Sequence, residues 1–237
     1  MKRMKRKAIA IAAGLLAVCS VALTGCQSKL APADQSVGAL YELFVKSNAA
    51  PMKDLMGFAS EDDVKTALIE GSAEEDIVSE LKTAFTSAGI EVSDEEAQEM
   101  TAIFQGLFDK LDYTTEITDE SKDEVTVLLK VKSYSMTDMQ NIMVEIVNDK
   151  QAGMDQETMM KVLSGDEEAV QQYEAMMQEV MKEYIMKLGD LEPVDEMSEL
   201  TIKCQRVKIE VSGKEKLAWM PQDLNTFSES VSNAVFK

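Results

Sequence analysis

The spacing of apolar residues changes from helical to alternating at Tyr113, returns to helical at Thr137 and alternates again from Leu200. No other feature narrows the choice of fold as much, because a strand repeats every two residues and a helix every 3.6. Tyr113–Thr118 and Glu124–Tyr134 read as two strands joined by Asp119–Asp123. In the second, Val125, Val127, Leu129 and Val131 share one face, and Thr126, Lys130 and Lys132 share the other, with Leu128 breaking the polar side. Leu200–Val211 reads as a third strand, Ser212-Gly213 as a hairpin turn, and Leu217–Met220 as a fourth. Within Leu200–Val211 the apolar parity shifts, from Leu200, Ile202 and Cys204 to Val207, Ile209 and Val211. One strict strand cannot bury both sets on one face, so a β-bulge is expected near Gln205-Arg206. Pro221 is placed to open a closing helix that ends near Phe236. The order predicts an α+β fold: N-terminal helices, a four-stranded antiparallel sheet, a methionine-rich helical insertion between the two hairpins, and a C-terminal helix.

The helices announce their own starts. Ala33–Ser47 carries Val37, Leu40, Tyr41, Phe44 and Val45 at helical spacing, and Pro51–Phe58 adds a turn or two. Ser60, Ser72 and Ser93 each precede acidic triplets or near-triplets, the pattern of a capping box. Apolar stripes follow: Ile77, Val78, Leu81 and Phe85 in one helix, then Ala97, Met100, Ile103, Phe104, Leu107, Phe108 and Leu111 in another. Gly89 and Gly189 fit C-terminal caps. Thr137 opens the insertion, with Met139, Ile142, Met143, Ile146 and Val147 on one side. Its long helix, from Asp166 to Leu188, carries Val170, Tyr173, Met176, Met177, Val180, Met181, Tyr184 and Leu188 on one stripe, which Ile185 and Met186 leave.

The N-terminus carries an address. Five basic residues (Lys2, Arg3, Lys5, Arg6 and Lys7) precede Ala8–Leu23, where only Gly14 and Ser20 fall outside the apolar and cysteine set. That run is shorter than the ~20 residues a spanning helix needs, and its flanks are those of a secretory signal. Leu23, Thr24, Gly25 and Cys26 resemble the lipobox of bacterial lipoproteins. The resemblance implies a diacylglyceryl group on the Cys26 thiol, cleavage before it, and an extracytoplasmic protein held on the cell membrane. Residues 1–25 are then signal peptide, 26–33 the lipidated cysteine and a polar spacer, and 34–237 a single α+β domain with its insertion at about 137–190. With Cys19 removed and Cys26 lipidated, Cys204 has no intramolecular partner.

Charge and composition exclude several functions. Loss of the signal removes five positive charges and leaves 19 basic against 43 acidic side chains, −24, which repels nucleic acid. Histidine is absent, and with it the commonest general base and metal ligand. The acidic triplets, including Asp166-Glu167-Glu168, could hold a hard cation, but each sits where a helix begins and macrodipole and cap favour carboxylates. No EF-hand loop fits: ahead of Gly153, ligand positions hold Lys150 and Ala152. Cys204 could act as a nucleophile with Arg206 two residues away, yet its parity with Leu200 and Ile202 points to a buried thiol.

Ten of the 17 methionines lie between Met136 and Met186. Thioethers suit Cu(I), but interleaving with Val, Ile and Leu on one face points to packing or to an adaptable contact surface. The lipobox, the acidic helical half, the hairpins and Trp219-Met220-Pro221 before a last helix together resemble Gram-positive surface lipoproteins built on domains of unknown function. Their sheets are similar to the cone-shaped nuclear-transport-factor-2-like or cystatin-like α+β fold, and the resemblance implies no catalytic residues. The expected function is a non-enzymatic binding module without a cofactor, membrane-held through Cys26. Trp219 and Tyr134 could line a pocket on the sheet, although aromatics at strand ends are better read as filling a sheet–helix core. With Met176, Met177 and Met181 they are the module's candidate surface for a protein or small ligand. The alternatives are a metal handler, through methionines or carboxylates, and a histidine-free enzyme of the cone-shaped class.

Overall fold

A computed structural model of the chain describes residues 30–69, 82, 83, 85–87, 92–152 and 156–237. The signal segment, the lipobox, the helix start at Ser72 and the Gly89 cap lie outside the described residues. In chain order the elements are α1 (Ala33–Lys46), α2 (Ala50–Met56), α3 (Glu61–Leu68), α4 (Asp94–Asp109), β1 (Tyr113–Glu120) and β2 (Glu124–Ser133). Then come α5 (Met136–Ala152), α6 (Gln156–Ser164), α7 (Glu167–Leu188), β3 (Val194–Val211), β4 (Lys214–Pro221) and α8 (Leu224–Val235). The strands form one four-stranded antiparallel sheet in the order β1-β2-β3-β4, so the α+β class and the helical insertion between hairpins hold.

The chain groups into two compact units. One takes in α1 to α3, Thr114–Leu129 and Leu200–Val231; the other takes in α4, Lys130–Glu199 and Ser232–Lys237.

In the first unit α1 packs on α2 and β4, burying Val37, Leu40 and Tyr41 completely. Phe44 meets Phe227 edge-on at 6.0 Å. Ser60 caps α3 in a full capping box with Asp63. Helix α2 ends at Gly57, whose φ of 72° is left-handed. Lys216 Nζ donates to the Met56 carbonyl at 2.8 Å, and a Cβ on Gly57 would come within 2.9 Å of that ammonium. Glycine thus serves both the turn and the lysine that closes the helix end. Ser212 and Gly213, at φ 51° and 75°, form the two-residue turn between β3 and β4, whose positive φ values match strand twist.

In the second unit Ser93 and Glu96 form the capping box that starts α4. Phe85, Val92, Ala97, Met100 and Ile185 make a buried cluster. Helix α7 packs on α4, α5 and α6. Lys150 pairs with Glu179 and Glu183, while Lys187 pairs with Glu145, a crossing that makes α5 and α7 antiparallel. Lys110 Nζ donates to the Gly189 and Leu191 carbonyls, both at 3.0 Å, and to Glu192 at 2.9 Å. Gly189 does end α7, but in right-handed conformation (φ −58°), and the lysine satisfies the open carbonyl there.

Four sequence expectations are corrected. The β3–β4 register runs unbroken from Cys204↔Pro221 to Val211↔Lys214, so no bulge sits at Gln205-Arg206 in that pairing. The parity shift instead marks a change of covered face: Ile202 and Cys204 are buried on one side of β3, Val211 on the other. Adjacent Ala218 and Trp219 on β4 are both buried, which requires cover on both faces. Pro221 ends β4 rather than opening α8, whose cap is Asp223, accepting from Thr226 N–H at 2.8 Å. Strand β3 starts at Val194, six residues ahead of Leu200, through an acidic stretch without alternation. Ile185, off the expected stripe, is buried because α7 is packed on more than one side.

Candidate functional site

Trp219 is 4% exposed and lies on β4 opposite Arg206, whose guanidinium carbon is 5.0 Å from the ring centroid. The exposed arginine covers the indole, a cation–π contact that seals it from solvent. Tyr134 is 1% exposed, stacks on Phe236 and donates its hydroxyl to the Leu107 carbonyl at 2.8 Å. Burial, and then the Glu192 carboxylate, push its phenol up to about 12. Both aromatics occupy core positions in the described structure.

The methionines behave differently. Met176, Met177 and Met181 on α7 are half-buried, and Met181 rests on the cluster around Ile185. On the same helical insertion Met136 is 43% exposed, Val144 56%, Met160 63%, Leu163 78% and Met186 50%. None of the described methionines of α5 to α7 is fully buried. An unbranched, polarisable side chain held half in water is suited to repacking against a second surface.

Cys204 is free and fully buried, and desolvation pushes its thiol up to about 12. Its burial disfavours the thiolate that a nucleophilic role would need. Asp63 and Glu96, the last carboxylates of the triplets after Ser60 and Ser93, close capping boxes, and Asp166 accepts from Ala169 N–H at 3.0 Å. Among the described residues no group of three or more Cys, Asp or Glu side chains is placed to hold a metal ion. Also among them, no helix is long and apolar enough to cross a membrane.

Sequence reasoning passed over one cleft, of about 250 Å³, where β4 gives way to α8. Its floor is Ile202, Pro221 and Phe227, its rim carries Lys203 and Asp223, and Thr226 and Ser230 add hydroxyls. The Pro221-Gln222-Asp223 break between strand and helix is the only sequence sign of it. Lys203 and Asp223 are exposed, so water screens what they could hold.

No family model matches the chain, and no curated protein matches it. Among solved structures, the crystal structure of a candidate lipoprotein from Bacillus subtilis strain 168 is similar at 14% identity with a TM-score of 0.48. The match covers 87% of this chain and 57% of that one, so the chain spans a little over half the length of that protein.

Proposed function

We propose that the chain is a lipid-anchored extracytoplasmic lipoprotein of the Gram-positive type, working as a non-enzymatic interaction module. The observation that carries the reading is the run Leu23-Thr24-Gly25-Cys26, placed at the end of an apolar stretch behind five basic residues. Two acyl chains at Cys26 hold a protein on a bilayer where one would release it, at ~0.8 kcal/mol per buried methylene. The net charge of the processed chain opposes attraction to anionic lipid, so the anchor carries the attachment. The half-buried Met176, Met177 and Met181 and the exposed apolar residues of α5 to α7 support that helical arm as the surface for a protein partner.

Anchoring is tested by metabolic labelling with a clickable fatty acid in a Gram-positive host. The parent should be labelled and processed; Cys26→Ala should carry no label and accumulate as precursor. Undiminished labelling of the variant would overturn the lipoprotein reading.

A further inference from the structure

Strand β1 stands at one end of the sheet order and presents eight residues without a proline. Lys132 N–H donates to the Asp112 carbonyl at 2.9 Å, and Thr118 Oγ1 reaches the Thr126 carbonyl in the same register. Residue 112 therefore faces β2, and antiparallel alternation turns the N–H and C=O groups of Thr115, Ile117 and Asp119 outward. Among the described residues no backbone group from another segment bonds these three. Thr114, Glu116, Thr118 and Glu120, the alternate positions, are exposed. Such an edge is an open template for another strand.

Its charge selects what can dock. Glu116, Asp119 and Glu120 are all exposed, so carboxylates line this edge on both faces. Residues 116–124 hold five carboxylates and one lysine. Edge charges protect a sheet from its own kind: a second copy would set six carboxylates along one seam between two chains of −24 each. The same charges attract a chain of opposite sign. Glu116 and Glu120 lie on one face four residues apart, so cations at the facing positions of an added strand would meet both. Ile117 and Thr115, half-buried and β-branched on the other face, suit a β-branched neighbour.

We propose that the outer edge of β1 receives an extended, lysine- or arginine-bearing segment of a partner protein as a fifth strand. This surface uses different residues from the methionine-bearing arm, so its failure leaves both the arm and the anchor as they stand.

The test is amide hydrogen exchange read by mass spectrometry on the full chain in dodecyl maltoside. Three capped peptides serve as probes: acetyl-KTKVKTK-amide, its all-glutamate counterpart, and the lysine peptide with proline in place of valine, which cannot extend a ladder. The lysine peptide should slow exchange at Thr115, Ile117 and Asp119 at least tenfold, and the other two should not. Glu116→Lys with Glu120→Lys should transfer the effect to the glutamate peptide. Glu116→Gln with Glu120→Gln, which changes shape least, should weaken the lysine peptide several-fold. Absence of protection in β1, or protection indifferent to both variant pairs, would overturn the proposal. So would protection that grows with protein concentration alone, which would make the occupant a second copy.

Discussion

Glu96 accepts hydrogen bonds from Lys182 Nζ at 2.5 Å and from the N–H and hydroxyl of Ser93, both at 2.8 Å. The lysine bond first, and then the two from serine, hold its carboxyl down at about 2, against an ordinary value of 4.5. A group whose folded value lies below its unfolded one stabilises the fold above the unfolded value and stops doing so as pH falls through the folded one. The contribution of Glu96 is therefore present above about pH 4.5 and is lost toward pH 2. We predict that Glu96→Gln lowers the urea midpoint at pH 7, and that the gap to the parent closes as pH falls from 5 to 2. Midpoints determined across that range check it; a gap that stays constant would show that the carboxylate's charge plays no part. The capping box behind this bond was legible, since Ser93 and Glu96 are three residues apart and the interaction is local. Its Lys182 partner, 86 positions away, was not. Cys204 shows the same divide: strand parity placed its thiol inside, and a core place for Tyr134 was the better reading of an aromatic at a strand end, but not what its hydroxyl would bond. The acceptor that fixes Tyr134 is a carbonyl 27 residues upstream, which no spacing records.

Elements were legible where one face is apolar and the other wet. β2 reads directly from Val125, Val127, Leu129 and Val131, all buried. Elements held by their neighbours were not: Val194–Glu199 is acidic and without alternation, yet it extends β3. Helix α7 lies between these cases. Its expected stripe contains Val180 and Leu188, both buried, but Ile185 is equally deep because α4 covers a second side. The candidate arm was thus found by composition and periodicity, while the β1 edge and the cleft beside α8 emerge only when strand order and the Pro221–Asp223 break are in place. The methionines of α7 allow a test at this scale. Met181 packs on Ile185 and its cluster, and Met176 and Met177 are half-buried, so their shape and apolarity should matter more than their sulfurs. Replacing all three with leucine should keep the fold, at a cost within ~1.5 kcal/mol per swap, as judged by denaturant unfolding. A stoichiometric, tight Cu(I) complex of the parent that vanishes in the triple variant would reverse this and make the arm a metal site.

At the scale of the whole molecule, the decisive quantity is the imbalance of 43 acidic against 19 basic residues in the stretch 26–237. Two electrostatic effects oppose each other. Ion pairs such as Lys130–Glu199 and Lys208–Glu215 attract at 2.6 and 2.7 Å, but they are partly or well exposed. Pairs of this kind contribute ~0–1 kcal/mol each. Unpaired carboxylates repel one another over longer separations, and there are many more of them than cations to meet them. Salt distinguishes the two by distance. Raising ionic strength from 0.01 to 0.15 M shortens the screening length from ~30 Å to ~8 Å, which removes repulsion across the molecule while a contact at 3 Å keeps much of its attraction. Relief of repulsion should therefore win. We predict that the melting temperature of chain 26–237, freed of lipid, rises over this range at pH 7. A net gain of about 1 kcal/mol corresponds to ~2–4 °C at this size. Sodium chloride and sodium fluoride should act alike, because screening depends on ionic strength and not on the anion. At pH 4, where part of the carboxylates are protonated and the repulsion is already reduced, the rise should be smaller. Calorimetry at the two pH values gives the comparison. A melting temperature that falls steadily with salt at pH 7 would mean that the pairs outweigh the repulsion, and that the acidic surface is locally neutralised to a degree its net charge conceals.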